Sequence, residues 1–280
     1  MSRPGPGEHR AASRPLVIAS LALVRLLAGF ALALPLASVA AESGVGHHAA
    51  GDRVLFEAGG YQLLELLRLQ GPSLLATLRG LLPLLTGGLL LTAACNVVLL
   101  VTLDTQGSLR LAEWLPRSVQ RLPVVLTIGA GAGLCQLAVL MLGGSLVAAV
   151  PSWMTRPVQQ SALELGTWLV FLALASAVGG VADVAKACSV RHESGFAQAL
   201  QHTAARLRAR PLVTCFGWLP YGAVFVAAVL AVAPVTEALD VSSPGAWRVV
   251  LVLVCHQAVI ALAVALRAAW YARALRLAAT

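Results

Sequence analysis

The residues best placed to do chemistry are polar side chains set inside long apolar runs. Arg25, Asn96, Gln136, His256 and Gln257 each lie within such a run, and Asp183 lies near the end of another. A polar group at membrane depth is costly, so it pairs with another group, lines a watery path or carries a function. Gln136 falls near the midplane of its run, and Asn96 in the inner half of its own. His256 lies ~12 Å below the boundary marked by Arg248, at about 1.5 Å per residue. An imidazole there can relay protons, ligate haem or tie two helices by a hydrogen bond. Haem of the b type needs paired His ligands, and the other His residues lie in the terminal tail or in loops. No cofactor is therefore implied. Arg25 is close enough to one end of its run to snorkel toward water, or to pair with Asn96 or a backbone carbonyl.

The remaining chemistry-bearing residues point nowhere specific. His47 and His48, with Asp52, sit in a Gly-rich stretch and read as solvated loop residues rather than metal ligands. Cys95, Cys135, Cys215 and Cys255 lie in apolar runs and Cys188 at the edge of one, with no C-x-x-C among them. A buried thiol of this kind behaves as a small hydrophobe. There is no H-E-x-x-H, G-x-S-x-G or P-loop pattern, and no pair of carboxylates on one helix face. The reading leans away from an enzyme.

The elements that position these residues follow from composition. Of 280 residues, 59% are hydrophobic and 11% charged, and the mean hydropathy is +0.83. A soluble domain carries roughly 25% charged residues, so an ordinary soluble enzyme is excluded. Disorder needs low hydrophobicity, and five Cys are too few for a disulfide scaffold. A membrane helix needs about 20 mostly apolar residues. Six blocks qualify, at 16–41, 81–103, 122–150, 161–184, 212–235 and 247–269. In lipid each backbone donor and acceptor must be satisfied within its own segment, so these blocks are helices. The expected fold is all-α: a polytopic membrane protein with a six-transmembrane-helix bundle over 16–272, and short tails at 1–15 and 273–280. An outer loop covers 42–80 and an inner amphipathic loop 189–210.

The net charge is +8 and the pI about 10.1. This does not imply nucleic acid as a partner, because the basic residues mark the ends of apolar blocks rather than one phosphate-tracking face. With the N-terminus in the cytoplasm, Arg53, Arg68, Arg79, Arg156 and Arg248 face outward and Arg25 lies in the membrane. The other fourteen of the twenty Lys and Arg residues face inward. The positive-inside rule favours that orientation. Both termini are then cytoplasmic, and the expected location is a bacterial inner membrane. Trp153 and Trp247 fall at outer helix ends, and Trp114, Trp270 and Tyr271 near the inner face, as in an aromatic belt. The first block also resembles a signal peptide, with Arg3, Arg10 and Arg14 before it and Ser38-Val39-Ala40 near its end. Arg25 and the length of the block favour a retained helix, and either reading leaves the remaining topology unchanged.

Two amphipathic stretches flank the blocks. In Tyr61–Leu69, Gln62, Glu65 and Arg68 form a narrow polar stripe, which fits an interfacial helix or a connector packed on its neighbours. In 189–210, Phe196, Leu200 and Leu207 share a face and Arg206, Arg208 and Arg210 cluster at the end. That pattern predicts a helix on the bilayer surface with the arginines on anionic headgroups. Pro83, Pro123 and Pro211 each follow an Arg-bearing stretch and are expected to open a membrane helix. Gly87-Gly88, Gly143-Gly144, Gly179-Gly180 and the Gly129–Gly133 spacing permit close helix contact, within the chain or to another membrane protein or a second copy.

Asp183-Val184-Ala185-Lys186 ends the fourth block, and Arg208-Ala209-Arg210-Pro211-Leu212 opens the fifth after the amphipathic segment. Over 176–234 this resembles uncharacterised bacterial six-helix membrane proteins, similar to the membrane domain of some glycerophosphodiester phosphodiesterases. The resemblance implies architecture only, since the phosphodiesterase domain is absent. The expected function is a non-enzymatic accessory or scaffold subunit, because buried charge is scarce. The alternative is a small permease or channel with an internal path at Asn96, Gln136 and His256, and with breaks at the Gly pairs and Pro220. A scaffold has a filled interior; a permease has a watery cavity reaching Gln136 or His256. Reporter fusions at Ser108 and His202 should read as cytoplasmic and one at Gly60 as periplasmic; a periplasmic signal at either of the first two would reverse the map.

Overall fold

A computed structural model describes residues 15–42, 61–105, 111–149, 157–238 and 246–279. Their regular structure is entirely helical. In chain order the helices are α1 (Pro15–Glu42), α2 (Tyr61–Asp104), α3 (Leu111–Ala148), α4 (Pro157–Arg191), α5 (Phe196–Ala209), α6 (Pro211–Phe216), α7 (Leu219–Ala238) and α8 (Ala246–Ala279). Five stretches are long and apolar enough to cross a membrane: Leu75–Asp104, Ala112–Ala148, Val158–Arg191, Pro211–Val235 and Val250–Ala279. In α1 the apolar stretch found among the described residues is shorter, Val17–Ala31. Leu134, Met141, Leu169 and Leu230 are among many large apolar side chains left exposed. A soluble monomer does not carry such a coat, whereas lipid covers it. The protein is an all-helical membrane protein. Gly60, Ser108 and the loop His47–Asp52 lie outside the described residues.

Three expectations change. Pro83 and Pro123 do not open helices. Each lies inside one, with Pro72 and Pro116 a few turns earlier. A proline removes one backbone donor and crowds the turn before it, but a long apolar helix in lipid tolerates this when other donors re-satisfy the backbone. Pro83 frees the Arg79 carbonyl and Pro123 the Val119 carbonyl; the nearby threonine hydroxyls bond other carbonyls, Thr86 that of Leu82 and Thr127 that of Pro123, at 2.8 and 2.9 Å. Tyr61–Leu69 is accordingly the first part of α2 rather than a separate surface helix. Pro211 does stand at the start of its helix, directly after Arg210.

The second change concerns the aromatics. Trp270 and Tyr271 are fully buried, not spread along an interfacial belt. A buried indole needs a partner for its N–H, and Trp270 Nε1 donates to Asp183. The third concerns α5, whose buried side is small. Ala199 packs with Ile128 of α3 and Ala182 and Ala185 of α4, and Thr203 is buried beside it, while Phe196 and Leu200 stay exposed.

The chain divides into two compact units. One contains Ala93–Val224 and Ala265–Thr280, the other Leu16–Thr92 and Phe225–Val264. Most fully buried side chains belong to the first, in the runs 95–104, 182–190 and 268–278. Small residues bring its helices together. Gly143 lies against Phe171 and Gly144 near Trp168, joining α3 to α4, and Gly180 lies against the Thr214 and Cys215 backbone, joining α4 to α6. Ions fasten its arginine-rich end. Asp104, 6% exposed, accepts from Arg117 and Arg191, each at 2.8 Å. Arg117 also pairs with Glu193 at 3.1 Å and donates to the Val190 carbonyl. Arg121 reaches the Ser194 carbonyl. Glu193 holds φ at +51°, a left-handed residue in the tight turn between α4 and α5.

Gly180 leaves no room for a methyl group, since a Cβ there would overlap the Cys215 carbonyl oxygen. Gly180→Ala should therefore cost about 1–3 kcal/mol, read as a lowered unfolding temperature in detergent. Gly131→Ala, at an open position, should leave that temperature unchanged or slightly raised.

Candidate functional site

Helical spacing gathers the site. Ser176, Gly179, Gly180 and Asp183 follow one another along one face of α4, at the three- and four-residue steps that a helix stacks vertically. Gly129, Ala132 and Gln136 do the same on α3. With Lys186, Trp218 and Arg267 they line a cavity of about 300 Å³. Small residues on both walls keep the space open: a Cβ at Gly179 would meet Gln136 Nε2, and one at Gly129 would only touch Lys186. Gln136 spans the gap and donates to the Ala175 carbonyl at 2.9 Å.

Asp183 is the anchor of this cavity and is 4% exposed. Its Oδ1 accepts from Lys186 Nζ at 3.2 Å and from Arg267 Nη2 at 2.9 Å, and its Oδ2 accepts from Trp270 Nε1 at 2.9 Å. Arg267 also donates to the Tyr271 hydroxyl at 2.8 Å and lies over its ring, 4.5 Å from the centroid. The carboxylate is one negative charge facing two positive ones. This group carries a surplus cation beside a cavity among the described residues. An unbalanced charge away from bulk water is costly unless something compensates it.

The fifth apolar block supplies the remaining wall. It is interrupted at Gly217–Trp218, between α6 and α7. Pro220 explains the break, because it lacks the N–H that would have bonded the Phe216 carbonyl. Gly217 fits where no side chain can, against the Trp270 ring and the Val213 carbonyl. Its own carbonyl accepts from Arg273 at 3.4 Å. Trp218 is among the residues that line the cavity, and its Nε1 is buried with no partner among the described residues.

Gln136 and Asp183 are thus brought together at one cavity. Asn96 is half-buried in α2, with a buried, unpaired Oδ1, and is not among the residues lining it. His256 is exposed on α8, and its Nδ1 lies 3.0 Å from the Val252 carbonyl one turn earlier. Gln257 is half-buried, with Oε1 buried and unpaired. Arg25 is half-buried in α1. Arg206 is half-buried, while Arg208 and Arg210 are exposed. Lys186 and Arg267 read in the sequence as topology markers and Trp270 as a belt aromatic, and nothing in the sequence singles out Trp218. One signal was available: Lys186, three residues after Asp183, falls on the same helix face. Among the described residues no group of His, Cys, Asp and Glu is arranged to hold a metal ion. No family model, curated protein or solved structure matches the chain.

Replacing Asp183 by Asn removes the one charge that offsets Lys186 and Arg267. Breaking a buried pair costs about 3–5 kcal/mol. Arg267 keeps a third of its side chain accessible, so a loss nearer ~2 kcal/mol is expected. Hydrogen exchange should quicken across 264–272 in this variant; unchanged protection there would mean that Asp183 does not hold α8.

Proposed function

We propose that the protein is a six-helix integral protein of a bacterial inner membrane, with both termini in the cytoplasm, and that it binds and passes a small anionic solute. The observation that carries this reading is the polar cavity reaching Gln136, where Lys186 and Arg267 outnumber Asp183. Volumes of this order suit a small molecule rather than a polymer. The interrupted fifth segment beside it supports a permease, since broken helices accompany solute sites in secondary transporters. The path in this reading runs by Gln136, Asp183, Lys186, Arg267 and Trp218. It omits His256, which is exposed and bonded within its own turn. α1 supplies the sixth span, and α5 rides at the inner surface. The resemblance to the phosphodiesterase membrane domain adds architecture and no activity.

A second reading, the accessory or scaffold subunit, rests on a separate observation. Gly131 and Gly133 on α3 and Gly87 on α2 face open space amid exposed Leu134, Leu137 and Leu89. Such faces receive a helix of another membrane protein or of a second copy.

The two readings part on the cavity. Protein in proteoliposomes on a solid-supported membrane should give charge movement on jumps of acetate, succinate or phosphate, and none on jumps of choline. Arg267→Gln should cut that signal about tenfold, the loss of one charge-assisted hydrogen bond, and His256→Ala should keep it. Ser176→Cys, placed in a background without other cysteines, should react with a water-soluble thiol reagent. Silence to every anion together with an unreactive Cys at 176 would sink the permease and leave the scaffold.

A further inference from the structure

A second, smaller pocket of about 160 Å³ lies where α5 hands over to α6, lined by Arg206, Ala209, Arg210, Thr214 and Leu277. It is independent of the cavity at Asp183. Two guanidiniums line it and no carboxylate does among the described residues. Thr214 is fully buried and donates its hydroxyl to the Arg210 carbonyl at 2.8 Å, so it fixes the backbone there and leaves the arginines as the donors. Arg206 spends Nη2 on the Ala278 carbonyl at 3.4 Å. Its Nε is buried and has no partner among the described residues. Arg210 lines the pocket beside it, and a guanidinium matches two oxygens of one tetrahedral group.

We propose that this pocket binds a phosphate group. Its size admits a phosphate group. Its depth favours a phospholipid as the source. The membrane-crossing stretch begins at Pro211, so the pocket opens at headgroup level. Leu277 forms an apolar wall, and the exposed Phe196 and Leu200 of α5 suit neighbouring acyl chains. A soluble phosphate compound would use the same donors from the aqueous side.

Full-length protein in mild detergent, examined by native mass spectrometry after exchange into phosphatidylglycerol or phosphatidylcholine, distinguishes the sources. Retention of phosphatidylglycerol over phosphatidylcholine, lowered about tenfold or more in Arg206→Gln/Arg210→Gln, assigns the site to a lipid headgroup. A rise in unfolding temperature with inorganic phosphate in the wild type, absent in the double variant and without lipid preference, assigns it to a soluble phosphate. Arg208→Gln, an exposed neighbour outside the pocket, should behave as wild type in both arms. Should the double variant fail to fold, Arg210→Gln alone replaces it, because Arg210 is exposed. Equal responses of wild type and variant to both probes, or an equal loss in Arg208→Gln, would overturn the pocket in favour of a diffuse basic patch.

Discussion

Asp183 takes three hydrogen bonds from two helices, and the arrangement around the cavity depends on it. Lipid is as apolar as leucine, so hydrophobic burial does little to choose one helix contact over another inside a bilayer. Directional bonds and close backbone approach must choose instead. Asp183 sets α8 against α4 through Arg267 and Trp270, and the Gly180 contact sets α6 against the same helix. Asp104 does comparable work for the ends of α2, α3 and α4. The fully buried side chains cluster around these two carboxylates, whereas the apolar faces elsewhere remain for lipid.

The two ionic groups differ in setting. Around Asp104, Arg117 and Arg191 tie the ends of three helices together, and Glu193 joins through Arg117. Around Asp183, two cations meet one carboxylate next to open space. The first is a fastening. The second can fasten and still attract, which is why it carries the functional reading. The interruption at Gly217–Trp218 lies beside it, and Trp218 is part of the cavity wall.

Much of this was legible in the sequence. Five of the six apolar blocks reappear as long apolar helices, because twenty consecutive nonpolar residues have few alternatives in lipid. Gly143-Gly144 and Gly179-Gly180 were readable as contact points for the same reason. The proline starts at Pro83 and Pro123 were not, since whether a proline ends a helix depends on the bonds that neighbours offer its freed carbonyls. Pro220 was readable as a break, and the interruption falls just before it. The site itself was half-visible. Gln136 and Asp183 announced themselves as polar residues in apolar runs. Arg117, Arg191 and Arg267 did not, because an arginine near a block end looks the same whether it meets water or a buried carboxylate. Asp104 was hidden likewise, as the residue just after its block. The buried side of α5 escaped because its alanine and threonine are too small to stand out against Phe196 and Leu200.

Arg267 is shared between Asp183 and Tyr271, and sharing has a thermodynamic corollary. Any anion that competes for the guanidinium does so against Asp183, so occupancy of the cavity and closure of α8 on α4 are linked equilibria. Linkage is reciprocal: the factor by which a ligand loosens that contact is the factor by which a tighter contact weakens the ligand. On the proposed reading, retention of solute and mobility of α8 are one free energy seen from two ends.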